Sequence, residues 1–175
     1  MPKNTANYLT IARVVMIPLF LVLMYLNFPG SRYWALAVYV VACLTDWVDG
    51  YIARKYHQVS DFGKFMDPLA DKCLVMAALC CFVAEGSVAA WILAVVLVRE
   101  FAVSGMRMVA VEKGRVIAAG WSGKVKTAAT MVCICLILFG IPPVLNLVCQ
   151  GVILVTTVYS GVEYFWQNFD VFKSE

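Results

Sequence analysis

The chain has 175 residues, 63% of them hydrophobic and only 14% charged, with a formal net charge of +3. Together with a mean hydropathy of +0.83, this excludes a disordered chain and fits an integral membrane protein. The small positive excess says little by itself, and no nucleic-acid partner is expected.

A membrane-spanning helix takes about 20 residues. Six apolar stretches are marked, at about 8–28, 33–54, 64–84, 87–108, 121–140 and 143–166. Residues 1–7 form a short polar juxtamembrane segment. No length remains for a separate soluble domain, so one all-α membrane domain over 1–175 is expected, with six transmembrane helices. If the N-terminus is cytoplasmic, every Lys and Arg except Arg32 falls on or near the cytoplasmic side. That is the positive-inside pattern, and it puts both termini in the cytoplasm. The first stretch is long, contains Arg13 and precedes five more spans, so it reads as a retained helix rather than a signal peptide.

In chain order, Arg13 lies near the cytoplasmic end of the first span, placed either to snorkel to the headgroups or to contact a substrate. A Pro29-Gly30-Ser31 turn separates spans one and two, and Trp34 suits the interface. The last turns of the second span hold Asp46, Asp49, Ala53 and Arg54. At 100° per residue the two carboxylates and the small Ala53 lie within about 60° of one another. A short polar link carries the one histidine, His57, which reads as solvated. The third span then brings Gly63, Asp67 and Asp71 at i, i+4 and i+8. Its two carboxylates are about 40° apart around the axis.

An antiparallel hairpin of spans two and three would gather all four aspartates at one depth. Ionised groups inside a spanning helix cost about 2.5–3.5 kcal/mol each on insertion scales, which makes a functional site the default reading. Bare, such a cluster would repel itself and protonate; a divalent cation resolves both problems. Oxygen ligands alone, with no His/Cys set, suit Mg²⁺ or Mn²⁺. Arg54, Lys64 and the free amides at the start of the third span flank the cluster and suit a phosphate. Gly50 and Ala53 leave room for a bulky ligand. The composite reads as a metal-diphosphate site at the cytoplasmic surface.

The fourth span runs inward through Trp91 to Arg99, Glu100 and Arg107, where Glu100 and Arg107 share a face. These groups serve either a structural ion pair or an anionic substrate. A basic loop, Glu112-Lys113-Gly114-Arg115, leads to Lys124 and Lys126, which are about 200° apart on an ideal helix. Both reach one site only if the helix begins late or their stems bend. The sixth span carries Tyr159, Ser160 and Tyr164. Seven cysteines, odd in number and without a C-x-x-C pair, read as small apolar side chains.

Asp46-x-x-Asp49-Gly50-x-x-Ala53-Arg54, eight residues, then Gly63-x-x-x-Asp67-x-x-x-Asp71 resembles the complete signature of the CDP-alcohol phosphotransferases, with no position departing from it. The resemblance extends to Asn7-x-Leu9-Thr10-x-x-Arg13, Thr45-Asp46-Trp47, Asp67-Pro68-x-Ala70-Asp71-Lys72, Arg99-Glu100 and Gly123-Lys124-Val125-Lys126-Thr127. That set is similar to the bacterial branch of the family that joins CDP-diacylglycerol to glycerol 3-phosphate and releases CMP.

The resemblance implies six transmembrane helices, a homodimer, and a multi-pass protein of the bacterial inner membrane with its active site facing the cytoplasm. It implies two divalent cations, Mg²⁺ or Mn²⁺, held by Asp46, Asp49, Asp67 and Asp71, with Asp71 also the general base. Asp49, Gly50, Ala53, Arg54 and Gly63 are then the CDP-side residues. Arg13, Arg99, Arg107, Lys124 and Lys126, basic and unused by the signature, are the candidates for the acceptor's phosphate. Inositol phosphate, serine or phosphatidylglycerol are alternative acceptors for the same chemistry. A cation or proton transporter fits poorly, because no charged path continues to the far side of the membrane.

Overall fold

The computed structural model describes the backbone of residues 5–26, 28–56, 61–115, 117–118 and 120–172. Side chains are described for 12–26, 28–45, 69–70, 72–115, 117–118 and 120–170. Among the described residues there are six α-helices and no strand: α1 Thr5–Tyr25, α2 Ser31–Tyr56, α3 Asp61–Ala84, α4 Ala90–Glu112, α5 Trp121–Phe139 and α6 Pro143–Asn168. A single 3-10 turn, Phe169–Phe172, follows α6. Each expected stretch is a helix, and the ends differ by a few residues for local reasons. A helix satisfies its own backbone groups, which suits long apolar stretches such as these.

The chain divides into two compact units, Met1–Phe82 with Ile134–Ile141, and Val83–Cys133 with Pro142–Glu175. In the first unit α1 packs along α2, with Phe20 and Tyr39 fully buried and their rings 6.0 Å apart. Buried Leu74, Ala78, Leu79 and Phe82 line one stripe of α3, the i, i+4 spacing of a packed helix face. Arg32 has a structural partner in the same unit. Its Nε donates to the Leu138 carbonyl and its Nη2 to the Ile137 carbonyl, both at 3.2 Å. Those carbonyls end α5, where cations and donors are favoured.

In the second unit α4 packs on α6 around Val103, Met106 and Tyr164. The start of α4 is fixed by α6. Asn146 and Gln150 both donate to the Ser87 carbonyl, at 2.8 and 3.2 Å, and the Ala89 amide donates to Gln150 Oε1 at 3.2 Å. This holds Ala89 extended and delays the helix to Ala90, later than the apolar run begins. At the other end α4 runs on to Glu112. Gly114, at φ 73°, lets the Gly114 and Arg115 amides reach back to the Val111 and Ala110 carbonyls at 2.9 and 2.8 Å. That is a Schellman stop, for which glycine carries no Cβ penalty.

Outward faces of both units carry apolar side chains, including Val22 and Trp34 in the first and Phe101 and Trp166 in the second. α5 and α6 are long and apolar enough to cross a membrane, and shorter apolar stretches lie at Ala12–Tyr25, Ser31–Thr45 and Lys72–Ala84. The seven cysteines are free thiols; Cys73 and Cys80 face outward and Cys81, Cys133 and Cys149 are buried.

Candidate active site

The aspartate signature lies in the first unit, on helical backbone throughout. Asp46, Asp49, Gly50, Ala53 and Arg54 belong to α2, and Gly63, Asp67 and Asp71 to α3. By helical register, positions 46 and 49 are about 60° apart around α2, and positions 67 and 71 about 40° apart around α3. Four residues link the helices, so their facing ends are at most about 18 Å apart. α3 begins at Asp61, which makes Gly63 part of its first turn, where amides have no partner within the helix. The side chains of these eight residues lie outside the described residues, as does His57. The donor set fits the expected ions: four carboxylates at helical spacing are hard oxygen ligands of the kind Mg²⁺ and Mn²⁺ take.

The five basic candidates are distributed between the units. Arg13, in the first, is 1% exposed. That removes the snorkelling alternative, since its guanidinium is inside the packing. The other four lie in the second unit. Arg99 and Lys126, with side chains 12% and 5% exposed, both donate to Oε1 of Glu100, at 2.9 and 2.5 Å. Lys124 is exposed. α5 begins at Trp121, ahead of both lysines, so the helical rotation between them is retained and only Lys126 turns to Glu100.

Arg107 goes elsewhere. Its Nε donates to the Tyr164 hydroxyl at 3.0 Å and its guanidinium lies 5.4 Å from that ring's centre, a hydrogen bond and a cation–π contact from one residue. Sharing a helix face with Glu100 therefore does not make it Glu100's partner. Arg99 also lines a groove of about 940 Å³ between α4 and α6, walled mostly by apolar residues such as Val98, Val158, Val162 and Trp166, with Thr157 the other polar side chain.

Glu100 is the residue that sequence reasoning left undecided. The signal was present, since a carboxylate inside an apolar helix demands a cation. Which cation answers it depends on how α4 and α5 are rotated against each other.

These elements define a class. The chain belongs to the CDP-alcohol phosphatidyltransferase family, whose sequence profile matches residues 3–162. Among individual proteins, it is 39% identical to the CDP-diacylglycerol--glycerol-3-phosphate 3-phosphatidyltransferase of Bacillus subtilis (strain 168), over 98% of each chain. It is 38% identical to the enzyme of the same name from Escherichia coli (strain K12), over 79% of each. It is also 36% identical to a probable phosphatidylglycerophosphate synthase of Mycobacterium tuberculosis (strain ATCC 25618 / H37Rv), over 92% of this chain and 79% of that one.

Proposed function

We propose that the chain transfers the phosphatidyl group from CDP-diacylglycerol to glycerol 3-phosphate, giving phosphatidylglycerophosphate and CMP. The observation that carries this reading is the end-to-end similarity to a relative named for that reaction, together with an intact signature on helical backbone. The protein works as one membrane domain with six spans and both termini in the cytoplasm. It is placed in a bacterial inner membrane as a homodimer, with its site at the cytoplasmic surface. The positive-inside distribution and the outward apolar faces support the membrane topology, and the homodimer follows the family resemblance.

Asp46, Asp49, Asp67 and Asp71 would hold two divalent ions. When bound, these neutralise the diphosphate and stabilise charge at the phosphorus under attack. Gly50 and Ala53 admit the nucleotide close to α2, Arg54 supplies a cation to its phosphates, and Gly63 offers a first-turn amide. Asp71 takes the proton from the primary hydroxyl of glycerol 3-phosphate as that oxygen forms its bond to the phosphorus bearing diacylglycerol. The bond from this phosphorus to the CMP oxygen breaks, and CMP leaves with the electron pair. The acceptor's own phosphate is drawn by Arg99 and Lys126, the two of the five basic candidates that meet at Glu100.

Purified protein given CDP-diacylglycerol, Mg²⁺ or Mn²⁺ and a panel of acceptors should release CMP fastest with glycerol 3-phosphate. Faster release with serine, inositol phosphate or phosphatidylglycerol would change the acceptor and keep the chemistry. No release with any acceptor from folded protein would overturn the reading.

A further inference from the structure

We propose that Glu100 is a positioning residue for the acceptor's phosphate, holding Arg99 and Lys126 side by side and leaving one edge of Arg99 unspent. This rests on the reading above, in which the acceptor carries a phosphate.

Both cations donate to the same oxygen, so their donor nitrogens are no more than 5.4 Å apart. Two like charges that close and that shielded from water repel strongly; the carboxylate between them makes the arrangement tenable. The geometry at Arg99 is directional as well. Only Nη1 is used, while Nε is buried without a partner and Nη2 makes no hydrogen bond among the described residues. The Nε–Nη2 edge is one of the two that can grip a phosphate through parallel hydrogen bonds.

Gly161 of α6 leaves room for the stem of this side chain, since a Cβ there would stand 3.2 Å from Arg99 Cγ, whereas one at Gly123 of α5 would make an ordinary 3.5 Å contact with Nη2. Arg99 thus packs closely against α6, with Glu100 at one side of its head, and lines the groove between α4 and α6. A carboxylate serving only to neutralise a buried cation would be expected to take up that cation's donors fully. Glu100 instead leaves a bidentate edge of Arg99 unspent.

The test compares wild type, Glu100→Gln and Glu100→Asp as full-length protein in detergent micelles. Binding of glycerol 3-phosphate is followed by titration calorimetry with glycerol as the control, and CMP release gives KM for each substrate. Glu100→Gln keeps the shape and removes the charge, and should weaken glycerol 3-phosphate binding about 10-fold or more, the scale of one charge-assisted hydrogen bond. The KM for CDP-diacylglycerol should stay within about 2-fold. Glu100→Asp keeps the charge but withdraws the oxygen by one methylene, and should give a smaller selective loss if the first variant fails to fold. In an Arg99→Lys background Glu100→Gln should cost less than in wild type, because part of the effect runs through Arg99.

Unchanged acceptor binding in folded Glu100→Gln, or equal loss for both substrates, overturns the positioning role even where CMP release stands. Selective loss of acceptor binding without CMP release from wild type upholds the role and overturns the reaction.

Discussion

Asp71 combines two duties in the proposed reaction, and they separate on substitution. Asp71→Asn keeps an oxygen but no longer accepts a proton, so nucleotide binding should persist while turnover falls roughly 10²-fold or more. Equilibrium binding of CDP beside CMP release measures both; full activity would remove Asp71 from its role. The helical spacing of the aspartates was legible in the sequence because it is a property of one helix at a time. The basic residues were not, since their roles depend on rotation between helices. Lys124 and Lys126 look alike in the chain, yet one is exposed and the other buried against Glu100. Arg13 could be read as an interfacial side chain until its burial was seen.

At the scale of the helices, hydropathy found all six and misjudged where some begin and end. The misses lie where side chains or glycines, rather than apolar content, set the boundary: Gln150 at the start of α4 and Gly114 at its end. Arg32 shows the same limit. It is the one basic residue that the charge pattern left outside the cytoplasmic set, and it caps α5 through two carbonyls. Arg32→Met should lower stability by about 1–3 kcal/mol, the range for a hydrogen bond from a charged donor. Thermal unfolding in detergent checks this, with acceptor specificity expected to remain. A Tm equal to wild type would mean that water replaces the guanidinium without loss.

For the molecule as a whole, the composition alone indicated a membrane protein, and the outward apolar faces of both units agree with it. The reaction could not have been read from apolar helices, which many unrelated membrane proteins have; the signature supplied it. Four carboxylates with no ion to neutralise them are self-repelling, so chelation has a definite expected result. EDTA should abolish CMP release, Mg²⁺ or Mn²⁺ should restore it, and the metal-free protein should melt at a different temperature from the loaded one. Activity that survives exhaustive chelation would rule out the metal-diphosphate site.

The contact between Ala89 and Gln150 bears on how the chain is made. α4 has no side-chain cap of its own, and its first residues are held by two amide side chains from α6. Synthesis runs from the N-terminus, so α4 leaves the ribosome with its beginning unfinished and stays so until α6 is made. α6 therefore completes a helix that precedes it in the chain. A chain truncated before α6 would lose one helix and also the latch on another.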